Sequence, residues 1–283
     1  MFRVILSTLC FTFGIFITVK SEKSCDTLGT LIYEDLGCRP VKKDGRGCAI
    51  QYECDDFTQK NDSCLFRGKT YALNEQIRNE LTYGSCSVGC FCENHSGPPK
   101  FMCAVLDCPE WLGSPIKPGC YRKFELDKCC SVGMNCPSES NPLAECSVDG
   151  NVYKEGEKFY PKNTCLKCVC GKDWKGRFEQ PFCQRSLCNS QINREEELHK
   201  KCAHVYFSKE VLCCPDTWVC PSPSDQITKI NNNVESNSDL SCVFGSKTLK
   251  LGEGFQTKVS YFGPERDVQC ECVVPPLLTC KEV

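Results

Sequence analysis

Residues 146–170 read Cys146-Ser-Val-Asp-Gly150-Asn-Val-Tyr153-Lys-Glu-Gly156-Glu157-Lys-Phe159-Tyr-Pro-Lys-Asn-Thr-Cys165-Leu-Lys-Cys168-Val-Cys170. Aromatic residues spaced along a run bounded by glycine predict a short strand pair with a turn. The run closes on cysteines in C-x-x-C-x-C spacing, which makes it a small β unit stapled by sulfur. Working outward, the segments that begin at Cys64 and Cys146 each carry ten cysteines in the same order. The first set is Cys64, Cys86, Cys90, Cys92, Cys103, Cys108, Cys120, Cys129, Cys130 and Cys136. The second is Cys146, Cys165, Cys168, Cys170, Cys183, Cys188, Cys202, Cys213, Cys214 and Cys220. Four residues separate the fifth from the sixth cysteine in both, and five separate the adjacent pair from the last. Tyr71 and Glu75 follow Cys64 at seven and eleven residues, as Tyr153 and Glu157 follow Cys146, and Gly68 matches Gly150. Such self-similarity marks a repeat architecture.

Two partial copies flank the full ones. From Cys242, Leu249 falls seven residues on and Glu253 eleven on, followed by Phe255, Cys270, Cys272 and Cys280, which matches only the front half of a repeat. Cys25, Cys38, Cys48 and Cys54 match only the back half, with nine residues between Cys38 and Cys48 as between Cys120 and Cys130. The tally of four, ten, ten and four uses every cysteine except Cys10. Cys10 lies in the apolar run Val4–Val19, preceded by Arg3 and followed by Lys20-Ser21, which is expected to be a signal peptide cut after Ser21. An odd count of 29 then becomes an even 28.

Cysteine at this density behind an export signal marks a disulfide scaffold in an oxidising compartment. Zinc is the competing reading of C-x-C and C-x-x-C spacings, and no cofactor or metal is expected. With 34 basic and 36 acidic residues the formal charge is −2, so nothing electrostatic favours nucleic acid or an acidic membrane. No later apolar run could span a bilayer, and the C-terminal residues offer no hydrophobic tail for a lipid anchor. A secreted, extracellular protein is the expectation.

The ten-cysteine order, the C-x-x-C-x-C at Cys165, Cys168 and Cys170, the pair Cys213-Cys214 and the Gly-x-x-Tyr-x-x-Gly-Glu-x-Phe run at 150–159 resemble the von Willebrand factor type C module. The second copy follows that pattern closely. The first departs from it, with three residues, Ser87-Val88-Gly89, between its second and third cysteines and Asn74 in place of glycine. The resemblance implies a front subdomain with a small antiparallel sheet, a back subdomain with little regular structure, and one disulfide joining them. It implies Cys146–Cys170, Cys165–Cys213, Cys168–Cys183, Cys188–Cys214 and Cys202–Cys220 in the second copy. In the first it implies Cys64–Cys92, Cys86–Cys129, Cys90–Cys103, Cys108–Cys130 and Cys120–Cys136. Gly47 and Asp267 stand where the partners of the crossing bond would be in the two half copies. Each half has thus lost the cysteine it could not pair internally, and for the four that remain in each the resemblance implies Cys25–Cys48, Cys38–Cys54, Cys242–Cys272 and Cys270–Cys280.

The expected organisation is a leader at 1–21, a back half at 22–54, full modules at 64–136 and 146–220, a flexible linker at 221–241 rich in Ser, Asn and Pro, and a front half at 242–283. The fold class is small, disulfide-rich and mainly β with irregular loops, the tandem modules arranged as beads on a string. Each bead is too small for a sizeable core, so disulfides substitute for one. The terminal halves could instead dock on each other, within a chain or between two, but four intervening subdomains would have to bend back. Asn61-Asp-Ser and Asn94-His-Ser are N-glycosylation sequons in linker or loop positions.

Catalytic patterns are absent. The three histidines, His95, His199 and His204, have no metal or catalytic spacing, and the latter two are read as loop surface residues. There is no His-Glu-x-x-His, no Gly-x-Ser-x-Gly and no phosphate loop; Asp55-Asp56 and Glu195-Glu196-Glu197 read as solvated charge runs. A non-enzymatic protein that binds an extracellular ligand is therefore expected, its candidate contacts Trp111, Leu112, Trp174, Phe178 and Trp218. Each of these could instead be partly buried in its own bead. Resemblance to chordin-like proteins implies a growth factor of the bone morphogenetic protein and transforming growth factor β class as ligand. The alternatives are an adhesive or structural matrix component with matrix proteins as partners, and a secreted protease inhibitor. Oligomeric state is left open.

Overall fold

Three β-hairpins repeat one geometry. In the computed structural model, which describes residues 25–283 apart from 56, 59, 96, 139–141 and 233–238, Ser63–Phe66 pairs with Lys69–Ala72, Glu145–Val148 with Asn151–Lys154, and Ser241–Phe244 with Lys247–Lys250. The proposed leader lies outside the described residues. In each hairpin the first cysteine faces the residue seven positions later: Cys64 faces Tyr71, Cys146 faces Tyr153 and Cys242 faces Leu249. The turns set this register. Arg67-Gly68 and Asp149-Gly150 take positive φ at both central positions, the mirror-image turn whose twist matches that of the flanking strands.

The repeated glutamate has a structural job. Glu75, Glu157 and Glu253 accept a hydrogen bond from the backbone N–H of Ala72 at 3.0 Å, Lys154 at 2.7 Å and Lys250 at 2.7 Å. The residue before each, Asn74, Gly156 or Gly252, turns through positive φ and donates its N–H to the carbonyl of Cys92, Cys170 or Cys272. Asparagine serves at position 74 because its short polar side chain tolerates the left-handed region.

Back halves are also hairpins, where the resemblance implied little regular structure. Arg39–Lys42 pairs with Ala49–Glu53, Tyr121–Lys123 with Gly133–Asn135, and Ala203–Tyr206 with Thr217–Val219. Cys38–Cys54, Cys120–Cys136 and Cys202–Cys220 bracket these hairpins, with Cα atoms 4.2–4.3 Å apart. Cys64–Cys92, Cys146–Cys170 and Cys242–Cys272 anchor the front hairpins, while Cys90–Cys103, Cys168–Cys183 and Cys270–Cys280 staple paired strands. Cys86–Cys129 and Cys165–Cys213 join front to back. Cys25–Cys48, Cys108–Cys130 and Cys188–Cys214 complete the fourteen.

The beads do not form an open string. Strand Thr279–Glu282 lies parallel to Ala203–Tyr206, so the back half of the second repeat and the C-terminal segment share one six-stranded sheet. Its strand order is Thr217–Val219, Ala203–Tyr206, Thr279–Glu282, Arg266–Glu271, Glu253–Val259 and Thr228–Lys229. Ala203 and Val205 are buried with Phe244, Leu249, Phe255, Val268 and Leu278. On the other side, helix Leu31–Asp35 of the N-terminal segment buries Ile32 and Tyr33 against Leu198, Trp218, Val274 and Leu277. Tyr33 Oη lies 3.0 and 3.2 Å from the carbonyls of Val274 and Leu277 and accepts the N–H of Leu277 at 3.1 Å. Tyr52 N–H donates to the Pro275 carbonyl at 2.9 Å.

Charge pairs extend the closure. Arg185 grips Asp26 through two hydrogen bonds, 2.8 and 3.0 Å, and Glu34 through two more of 3.0 Å. Buried Asp35 reaches Arg67 at 3.1 Å and Ser190 N–H at 3.3 Å. The expected string fails for a physical reason: Ile32 and Tyr33 of one half module and Val274 and Leu277 of the other share one buried cluster with Leu198 and Trp218 of the second repeat, and burying them together repays about 25 cal/mol for each Å² removed from water. The linker is likewise not a free tether. Thr228–Lys229 pairs with the sheet and Ile227 packs on the core; residues 233–238 lie outside the described residues.

Candidate protein-binding surface

The back half of the first repeat is exposed where its counterpart in the second is buried. Between Leu106 and Cys136 only Cys108 is fully buried. The loop after Cys108 is nevertheless fixed. Trp111 and Leu112 donate their N–H groups to the Cys108 carbonyl at 2.9 and 3.3 Å. Glu110 accepts from Ser131 N–H at 3.0 Å and Ser131 Oγ at 2.8 Å, and Arg122 donates to the Ser114 carbonyl at 2.5 Å. The opposite side docks on the second repeat, where Phe124 N–H reaches the Gly156 carbonyl at 2.8 Å, Tyr121 Oη the Glu155 carbonyl at 2.9 Å and Gln184 the Leu126 carbonyl at 2.6 Å. What remains in water is apolar: Trp111 is 59% exposed and Leu112 72%, with Ile116, Val132 and Met134 exposed in the same subdomain. Large apolar side chains on an anchored loop lose little entropy when a partner covers them.

The other expected contacts fare differently. Phe178 is exposed, but Trp174 is half-buried among Phe159, Phe178 and Phe182, with ring centroids 5.5–5.9 Å away. Trp218 is not available at all. It is 9% exposed, buried with Tyr33, Val274 and Leu277 of the N- and C-terminal segments as well as Leu198 and Cys202 of its own repeat. Its counterpart two residues before the last cysteine of the first repeat, Met134, stays exposed.

A second exposed feature escaped the sequence reading. The hairpin Glu253–Val259/Arg266–Glu271 carries Tyr261 and Phe262 at its tip. Phe262 is 95% exposed and sits at φ 48°, a conformation bulky residues seldom adopt. Tyr261 stacks on Phe207 at 6.4 Å and Arg266 lies 4.8 Å over the same ring. The signal was present as an aromatic pair before Gly263-Pro264, a turn dipeptide between two strand-like runs.

The polar residues need correction. His204 is fully buried rather than on a loop surface. His199 is half-buried at the end of helix Glu195–His199, with Nδ1 2.5 Å from the Phe57 carbonyl and Nε2 3.4 Å from Glu195. Glu195 and Glu197 are paired with His199 and Arg194, so only Glu196 of that run is well solvated. Asn61 and Asn94 are exposed. The sulfurs of Cys86, Cys108 and Cys129 lie within 4.8 Å of one another, yet all three are consumed in disulfides and offer no thiolate to a metal. Among the described residues no helix is long and apolar enough to cross a membrane, and fourteen disulfides fit an extracellular protein. No family model matches the chain, and no solved structure matches it.

Proposed function

We propose that the chain is a secreted, non-catalytic binding protein whose repeats are von Willebrand factor type C modules. In this reading the rigid apolar loop at Trp111 and Leu112 engages an extracellular protein ligand. By resemblance to chordin-like proteins, that ligand is a dimeric growth factor of the bone morphogenetic protein and transforming growth factor β class. The observation that carries the reading is the exposure of Trp111 and Leu112 on a loop anchored by Cys108–Cys130 and Glu110. Exposed apolar clusters on fixed scaffolds are where binding energy concentrates. Asn61 and Asn94 carry glycans in this reading. Closure of the chain ends is a poor design for a matrix spacer, which works by its length.

Surface plasmon resonance of the mature protein against a panel of growth factor dimers tests the proposal. Saturable binding tighter than about 1 µM, weakened at least about tenfold by Trp111→Ala/Leu112→Ala, is expected. Binding to none of the dimers, with matrix proteins retained instead, would overturn the growth factor assignment in favour of a matrix component.

A further inference from the structure

His204 sits where three separate parts of the chain meet. It lies on strand Ala203–Tyr206 of the second repeat, opposite Trp218. Its backbone N–H donates to the Leu278 carbonyl at 3.2 Å, and its Nε2 lies 3.4 Å from Thr279 Oγ1 of the C-terminal strand. The ring meets Tyr33 of the N-terminal helix at 6.0 Å, Tyr206 at 5.6 Å and Trp218 at 6.0 Å, each edge to face. Nδ1 is buried with no hydrogen-bond partner. This burial is a product of closure. Arg122, two residues after Cys120 as His204 is after Cys202, faces Met134 across its own hairpin and is not buried, because no terminal segment covers it.

We propose that His204 is an acid-released clasp, whose protonation parts the N-terminal segment and the C-terminal strand from the second repeat. An imidazolium has two N–H donors and a full charge; here the Thr279 hydroxyl can accept from Nε2, but Nδ1 has no acceptor and the charge has no counter-charge among the groups that face it. The groups facing it are the Tyr33 phenol from the N-terminal helix, Tyr206 from its own strand, Trp218 from the paired strand and the Thr279 hydroxyl from the C-terminal strand. No carboxylate is among them. Tyr33 Oη is already committed to Val274 and Leu277, and Tyr206 Oη to the Cys213 carbonyl. The junction can open without breaking a covalent bond, since every disulfide closes within its own segment or repeat and none spans the contact between Tyr33, His204 and Thr279.

The sign follows from linkage. Burial lowers His204 to about 3 in the closed chain, whereas in the open chain water restores an ordinary value of about 6.5. The closed state is fully favoured above the open-state value and loses that advantage as pH falls toward the closed-state one. Between pH 7.4 and 5.0 the open-to-closed ratio should rise about thirtyfold. His199 works the other way. Burial lowers it, but hydrogen bonds to Glu195 and the Phe57 carbonyl outweigh burial and raise it, so its contribution is present at low pH and lost as pH rises.

Hydrogen exchange of the mature chain at pH 7.4 and 5.0, corrected for the intrinsic pH dependence of exchange, tests the clasp. Amides of residues 31–36 and 277–282 should exchange about thirtyfold faster than the correction alone predicts, while the first front hairpin, 63–72, stays unchanged. His204→Phe, which cannot take a proton, should abolish the difference. An unchanged wild type, or a His204→Phe chain with the same pH response, overturns the proposal. Should His204→Phe fail to fold, the pH profile of wild-type exchange decides: junction amides whose excess exchange begins below about 6.5 support the proposal, and an excess that is absent or begins only in the carboxylate range overturns it.

Discussion

Tyr33 and Trp218 hold the closure at the residue scale, and both do so through partners far away in sequence. Tyr33→Phe removes a hydroxyl that satisfies the buried Leu277 N–H. It should lower stability by about 1–3 kcal/mol, seen as a lower urea midpoint with the disulfides intact. Trp218→Ala should cost about 3–5 kcal/mol, whereas Met134→Ala, at the matching place in the first repeat, should stay within about 0.5 kcal/mol. The two side chains occupy the same hairpin position, and only Trp218 is buried, in a cluster that the terminal segments complete. The repeated glutamates show how far the sequence could be read here. Their spacing was visible, but their role needed the structure, because a carboxylate closing on an N–H three residues back leaves no periodic trace. Trp218, offered as a contact or as a buried residue, is buried, and its cluster adds residues 33, 274 and 277 to Leu198 and Cys202 of its own repeat; no local pattern reports such distant neighbours.

Elements of two to seven residues build the molecule, and their legibility varies with how local they are. The hairpin turning at Asp149-Gly150 was legible, since that dipeptide and the flanking pattern specify the turn. The six-stranded sheet was not, since its strands come from the second repeat, the linker and the C-terminal segment. A two-residue strand such as Thr228–Lys229 carries no alternation to detect. Trp111 and Leu112 were legible as candidates because an aromatic and an aliphatic residue stand together in a short loop between cysteines. At this scale the N-terminal helix is held by Arg185 as well as by apolar contact. Arg185→Ala removes the partner of Asp26 and Glu34 at a half-exposed site, so a loss of about 1 kcal/mol is expected after solvent screening. Faster hydrogen exchange of residues 26–36 with no change in residues 63–72 is the signature.

Across the whole molecule, fourteen disulfides set the beads and non-covalent contacts set how the beads pack. That division explains why cysteine spacing conveyed the repeat so well and the assembly so poorly. Sulfur bridges are local to each unit, while the packing rests on side chains such as Ile32, Tyr33 and Leu277, whose buried cluster joins different units. It also leaves the assembly open to reversible change while every unit stays folded, the property on which the His204 clasp depends. Closure of the two chain ends on the second repeat is the central claim, and small-angle X-ray scattering of the mature monomer at pH 7.4 tests it most directly. A radius of gyration near that of a single packed domain of this length, about 18–22 Å, is expected. An elongated distance distribution with a markedly larger radius, as free beads on a string would give, would contradict it.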